Sequence, residues 1–414
     1  MPNTPKKSFY LFISAVITGV LLRGIPVLHG VVTGDVKFHL AYVLRFLAAP
    51  DTLHFYGSVK MLYHNPPLWI LVESLTYLVA VKSALPFAVL IKLWPVLADV
   101  GIMVILWNWL GRDSGKGLRA AWIYALNPVS ILVTGFHGQF DPVVIFFVMA
   151  SLFSFSRGSE NAVDDNHHEA RKTQHDNCRM LAYILLGFAI ALKDYPVLLL
   201  PFFFVLALKR REQWKALMLM VAPALFISLP FVLADPRNFL EALFLYSGST
   251  DFGMGGVIRL VSRSVAGAGY DASAELPRQF LAIMKLVYIL LWGWLVVRFY
   301  RKTDNILFYT VAVFLGFLVI YPGVSAQYLF WIIPFLLLIE DAPLWRYSLL
   351  SALAMMLFYC AYFPRILFGR LPLDNLANWL PQLSLWMYLL VNAALWIQNI
   401  AFLLMLKRYK FVRI

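Results

Sequence analysis

The chain predicts an all-α polytopic membrane protein, and three observations carry that prediction. Hydrophobic residues make up 61% of the 414 and charged residues only 14%, where soluble domains run nearer half and a quarter. The apolar residues gather into runs long enough to cross a bilayer. The basic residues behind a net charge of +13 fall mostly in short clusters between those runs, the positive-inside pattern of membrane loops. That placement argues against nucleic acid as a partner and makes membrane lipid the expected surroundings. The cysteines, Cys178 and Cys360, lie far apart in different settings, so neither a disulfide framework nor a zinc site follows.

Phe9 to Leu28 is long enough to span, and no small-residue cleavage site follows it, so it reads as an uncleaved first helix. Pro66 to Lys82 has the hydropathy of a span, but charge argues against a crossing. If it crossed, the basic loop "GRDSGKGLRA" and every later basic loop would land outside. The consistent map lays it on the outer surface as an amphipathic or re-entrant helix, within a large external loop from His29 to about Pro86. Phe87 to Leu110 then returns, and Arg112, Lys116 and Arg119 come out inside. Ala120 to Thr134 runs out and Phe140 to Phe155 runs back.

Arg157 to Arg179 reads as a solvated, poorly ordered internal loop. Its His167, His168, His175 and Cys178 match no standard metal spacing. Met180 to Leu192 and Val197 to Leu208 are each too short to span at about 1.5 Å per residue. Both outer flanks are basic, so they read as a hairpin of half-helices. Its tip, Lys193-Asp194-Tyr195-Pro196, sits deep in the membrane, where irregular backbone has to line a cavity or be buried in protein. Ala216 to Leu233 leads to a second external loop, Asp235 to about Arg278, in which "GMGGVIRL" reads as a flexible turn. Phe280 to Val297, Ile306 to Ile320, Tyr328 to Leu338, Tyr347 to Tyr362 and Leu383 to Leu406 complete a bundle of about 10–12 transmembrane helices. Both termini come out cytoplasmic. The whole reads as one integrated domain, a catalytic membrane module over 1–234 and a variable C-terminal module over 235–414.

Charged side chains inside such helices cost about 2.5–3.5 kcal/mol each, so each needs a reason. Lys92 and Asp99 lie two turns apart on one helix face. His137, Gln139 and Asp141, in "GFHGQFDPVV", cap the junction between two spans. Lys193 and Asp194 mark the hairpin tip, and Asp35 follows Gly34 just beyond the first helix. Together they describe a polar pocket open to the outer face. Asp99 also suits a paired structural role, and Lys92 a snorkelling one. His137 also suits an interfacial cap, and Asp35 a turn.

These residues resemble a pattern found in the C-type (GT-C) glycosyltransferases, which use polyprenyl-phosphate sugars. The resemblance is strongest to the dolichyl-phosphate-glucose glucosyltransferases and to bacterial mannosyltransferase-like relatives. Leu97-Ala98-Asp99 resembles the family's "L-x-A-D", with Lys92 where a basic residue is usual. His137-Gly138-Gln139-Phe140-Asp141 resembles "H-F-Q-Y-N", and Asn65-Pro66-Pro67-Leu68 resembles "Y-P-P-L". Lys193 aligns with the family's half-helix lysine and Asp35 with its presumed base. The similarity covers roughly the first half of the chain. Two departures put glucose in doubt: Val36-Lys37 follows Asp35 where an acidic pair is usual, and Gln327-Tyr328 with Trp331 looks more like a mannosyltransferase.

The resemblance implies an inverting transfer without cofactor or metal. Asp35 would be the general base, with Asp141 as alternative base or sugar ligand. Lys193, then Lys92, would bind the donor phosphate, with Arg259 and Arg263 as substitutes. His137, Gln139, Gln327 and Tyr328 would hold sugar, and Asp194 would be structural, as Asp99 would. A secondary transporter or lipid-linked glycan flippase is the competing expectation, because broken helices carrying charge are also their mark.

Overall fold

The computed structural model describes residues 5–29, 32–49, 51–112, 114–158, 168–245, 249–266, 277–363 and 380–412. In chain order the helices are α1 (Pro5–Leu28), α2 (Gly34–Ala48), α3 (Phe55–Val59), α4 (Pro67–Ser83), α5 (Phe87–Trp109), α6 (Lys116–Ala125), α7 (Pro128–Ile131), α8 (Asp141–Arg157) and α9 (His168–Leu192). There follow α10 (Leu200–Lys209), α11 (Gln213–Ala234), α12 (Pro236–Phe244), α13 (Gly253–Ala266), α14 (Arg278–Lys302), α15 (Ile306–Ile320), α16 (Ile333–Leu336), α17 (Leu344–Tyr362) and α18 (Leu380–Met405). Among the described residues, six helices are long and apolar enough to cross a membrane: α1, α5, α11, α14, α17 and α18. Four shorter apolar segments pack among them. Among the described residues, strand is confined to a two-residue antiparallel pair, Ile339–Glu340 with Lys410–Phe411. The fold is the expected all-α polytopic bundle.

Side-chain pairing gives the bundle its polarity. Phe12 of α1 stacks on Trp107 of α5 at 4.1 Å, and Arg23 meets Asp99 about one and a half turns before the C-terminal end of α1. The two helices are therefore antiparallel, and the end of α1 shares one end of the bundle with the start of α5. The segment leading into α4 lies at that end, because Asn65 lines a cleft there with Thr33 and His137. Three residues separate α4 from α5, so α4 also finishes there. Its start and its finish thus both lie toward the end of the bundle that carries the cleft.

Several segments differ from the expectation. The first arm of the half-helix hairpin is the C-terminal part of the 25-residue α9, and only the second arm, Tyr195 to Lys209, is short. Part of the expected 157–179 loop is helical, because α9 begins at His168; His167 lies outside the described residues. Tyr328 to Leu338 is no single span but a 3₁₀ turn, Ala326–Phe330, followed by α16. Pro334, which lacks a backbone donor, opens that short helix. "GMGGVIRL" is the start of helix α13. Asn392 of α18 holds it, accepting from the Gly253 N–H at 3.0 Å and donating to its carbonyl at 3.1 Å. The Ala120 to Thr134 run breaks after α6. Asn127 then caps α7, accepting from Val129 and Ser130 N–H and donating to Ser348 Oγ at 2.8 Å.

A fully buried polar knot is built on Asp99. Its carboxylate accepts from Arg23 Nε at 2.5 Å, Tyr124 OH at 2.5 Å, Thr134 Oγ1 at 2.8 Å and Ser130 Oγ at 3.2 Å. The rest of the Arg23 guanidinium donates to the carbonyls of Gly19, Ala125 and Tyr124 and to Ser130 Oγ. Both ionic side chains are 1% exposed. A charge so placed is tolerated because every donor and acceptor around it is matched. The structural reading of Asp99 is the one this geometry supports. Arg23→Met leaves the Asp99 carboxylate buried without its cation, and should cost about 3–5 kcal/mol. A lowered melting temperature of the detergent-solubilised protein checks this; an unchanged one contradicts it.

Candidate active site

The stretch Gly135 to Asp141 positions the site. After α7 the backbone opens into a π-helical turn, Leu132–His137, a form common at functional sites. Gly135 packs so closely on α1 that a Cβ there would lie 2.6 Å from the Arg23 carbonyl oxygen. Gly138 adopts φ +78°, and a Cβ there would come within 2.7 Å of Lys92 Cε. Only glycine satisfies both demands at 138. Lys92 in turn donates to the carbonyls of Gly135 and Phe136, each at 3.1 Å. Its ammonium is thus a brace for the turn and does not line the cleft, contrary to the expected phosphate role.

The turn delivers His137 and Gln139 to Asp35, in the first turn of α2. His137 Nε2 and Gln139 Nε2 both bond to Asp35 Oδ2, so Oδ1 takes no part in either contact. The far ring nitrogen of His137, Nδ1, pairs with the Tyr359 hydroxyl of α17. Thr33 caps α2 and also donates to the His137 carbonyl at 2.7 Å. Burial would raise the Asp35 carboxyl, but His137 and Gln139, with His39 further off, outweigh it and hold it well below the usual carboxylate range. Its side chain is still 34% exposed, the balance expected of a group that meets ligand.

Asp141 takes a different place. It opens α8 and is fully buried. It accepts from Lys193 Nζ at 2.9 and 3.1 Å and from Trp331 Nε1 at 2.6 Å. The ammonium lies 4.9 Å from the centre of the Phe140 ring and 5.2 Å from that of Tyr328. The expected sugar contact or base role for Asp141 is replaced by that of anchor for Lys193, which does face the cleft. Asp194 beside it is exposed and outside the cleft lining.

Asp35, His137, Gln139, Lys193, Gln327 and Tyr328 line one cleft of about 460 Å³. Aromatic rings supply much of its wall, among them Phe38, Tyr42, Phe358 and Phe363. Arg259 stands one step outside it, bonded to Thr250 at 3.0 Å and 3.8 Å from the lining carboxylate Asp251. Arg263 stacks over Trp386 instead, and is not brought to the site. Residues missed by sequence reasoning are Arg23, Thr33, His39, Glu73, Asp251 and Tyr359. A lone arginine inside the first apolar run was a readable signal, since a buried charge requires a partner. Tyr359 carried none, as aromatic residues abound in the chain.

An all-α membrane bundle with a polar, ligand-sized cleft at one end defines the class: a multi-pass integral membrane protein with a buried polar site. The profile of glycosyltransferase family 87 matches residues 63–322, more than half of the chain, and the chain belongs to that family. It is therefore a glycosyltransferase, and the transporter and flippase readings give way to an enzyme. The match continues past residue 234 and includes His137, Gln139, Asp141 and Lys193, while Asp35 and Gln327-Tyr328 lie outside it. No curated protein matches the sequence.

The Asp141–Lys193 pair yields a stability test. Asp141→Asn strands the buried ammonium and should destabilise by about 3–5 kcal/mol, whereas a double Asp141→Leu, Lys193→Met variant should lose less than the single one. Thermal melts of the three purified variants check this; additive losses would show that the pair is not coupled.

Proposed function

We propose that the protein transfers a hexose, mannose or glucose, from a polyprenyl- or dolichyl-phosphate donor to a lipid-linked or envelope glycan acceptor. The transfer takes place on the outer or luminal face, inverts the anomeric carbon and uses no metal ion. The observation that carries this is a partly exposed carboxylate and an anchored ammonium, Asp35 and Lys193, lining one cleft. The acceptor oxygen attacks the anomeric carbon, and the bond from that carbon to the phosphate oxygen breaks, leaving its electron pair on the phosphate. The hydroxyl proton passes to Asp35 Oδ1, the oxygen that His137 and Gln139 leave unengaged. Lys193 faces the departing phosphate and stabilises the charge it gains. His137, Gln139, Gln327 and Tyr328 supply polar groups around the sugar.

The neighbours that lower the Asp35 pKa keep it ionised at neutral pH, the form a base requires. The Gln327-Tyr328 turn favours mannose over glucose by its resemblance to mannosyltransferases. The proposed setting is the cytoplasmic membrane of a prokaryote with both termini inside, or the endoplasmic reticulum in a eukaryote.

With purified protein and defined polyprenyl-phosphate sugars, Asp35→Asn should lower kcat by at least about 100-fold. Full turnover by Asp35→Asn, with none by Asp141→Asn, would reverse the two roles. Activity should survive EDTA; strict dependence on Mg²⁺ or Mn²⁺ would refute a metal-free transfer.

A further inference from the structure

A second ionisable pair borders the cleft and takes no part in the chemistry above. His39 lies one helical turn after Asp35 on α2 and lines the same cleft. Its Nδ1 stands 2.5 Å from Glu73 Oε1 of α4, the two side chains being 8% and 0% exposed. The close Nδ1 contact with Glu73 is an ionic approach outside hydrogen-bond angles, and Nε2 is buried with no hydrogen-bond partner. Such an atom in a native interior is costly and calls for an explanation, of which an absent ligand is one. The imidazole is held edge-on by Trp69 and Phe140, each 6.2 Å away. Phe140 also carries Lys193 over its ring. One aromatic side chain therefore has the lysine at its face and the imidazole beside it.

The charged and titratable groups around His39 come from four segments. Asp35 shares α2, Glu73 faces it from α4, and His64 and Lys193 face it from the segments that follow α3 and α9. Burial acts to lower the His39 imidazole, and Glu73, followed by Asp35, more than offsets this, so its pKa is raised. At His64 burial and then Lys193 act downward and bring it to about 4. Of these two imidazoles, His39 is the one whose surroundings favour the protonated form. The Lys193 charge is already compensated by Asp141, so an anion beside it gains from a further donor.

We infer that His39 and Glu73 form a second phosphate-binding element, in which His39 Nε2–H donates to a phosphate oxygen of the donor beside Lys193. Glu73 is a positioning residue that keeps the imidazole protonated and oriented. The inference rests on the phosphate-linked donor proposed above. During transfer His39 keeps its proton, and its hydrogen bond strengthens as the phosphate gains charge.

The test is isothermal titration of the purified full chain with farnesyl phosphate, and with farnesol as the uncharged control. The wild type should prefer the phosphate. His39→Gln should weaken phosphate binding at least about tenfold and leave farnesol unchanged. In Glu73→Gln, phosphate affinity should fall as pH rises from about 6 to about 8, where the wild type holds, because the imidazole loses its proton sooner. That pH slope decides the matter if His39→Gln fails to fold. If the wild type does not distinguish phosphate from alcohol, the donor class itself is wrong and the inference falls with it. If the wild type does distinguish them, but His39→Gln binds as tightly and Glu73→Gln shows no slope, the donor stands and the role of His39 and Glu73 is overturned.

Discussion

Burying ions in a bundle of apolar helices is costly, and the architecture of this protein follows from how it meets that cost. Asp99 and Arg23 are each nearly sealed from solvent, and neither is tolerable alone. Their pairing ties α1 to α5. Tyr124, Ser130 and Thr134 add hydrogen bonds from α6, α7 and the π turn. Three successive segments are thereby joined to the first helix at one depth. The turn that carries the site hangs from this knot: Gly135 lies against the Arg23 backbone, and Lys92, two turns before Asp99, holds the next carbonyls.

From that anchorage the polar groups become useful. The turn projects His137 and Gln139 onto Asp35, and Asp141 stays behind to hold Lys193. Each ionisable group at the site thus has a partner, yet the partners differ in consequence. Asp141 is consumed by its contacts. Asp35 keeps one oxygen clear of His137 and Gln139 and a third of its side chain exposed. The same division separates His64, whose pKa burial lowers, from His39, whose pKa a neighbouring carboxylate raises. A cleft that brings a carboxylate and a lysine ammonium together suits a family of enzymes that move sugars between polar oxygens.

Much of this was legible in the chain. Composition and charge clusters defined a polytopic helical protein. The polar stretch "GFHGQFDPVV" and the lone Lys193 marked the site, because polar groups inside apolar runs require a reason. What hydropathy could not convey was helix continuity: α9 runs unbroken through polar and apolar halves, since a helix satisfies its own backbone whatever its side chains. Nor could it assign partners. Asp141 and Asp35 look alike in sequence, and only the positions of Lys193 and Trp331 separate anchor from candidate base. The Glu73 carboxylate sat in a run rejected as a span, where a single acid looks like an ordinary surface residue.

The central claim is that one cleft receives the phosphate and the reacting carbon together. An experimental structure with a polyprenyl-phosphate sugar bound tests it most directly. The account predicts the phosphate within hydrogen-bonding reach of Lys193, and the anomeric carbon facing Asp35. A phosphate bound elsewhere, at the Arg263 face or apart from Asp35, would contradict it.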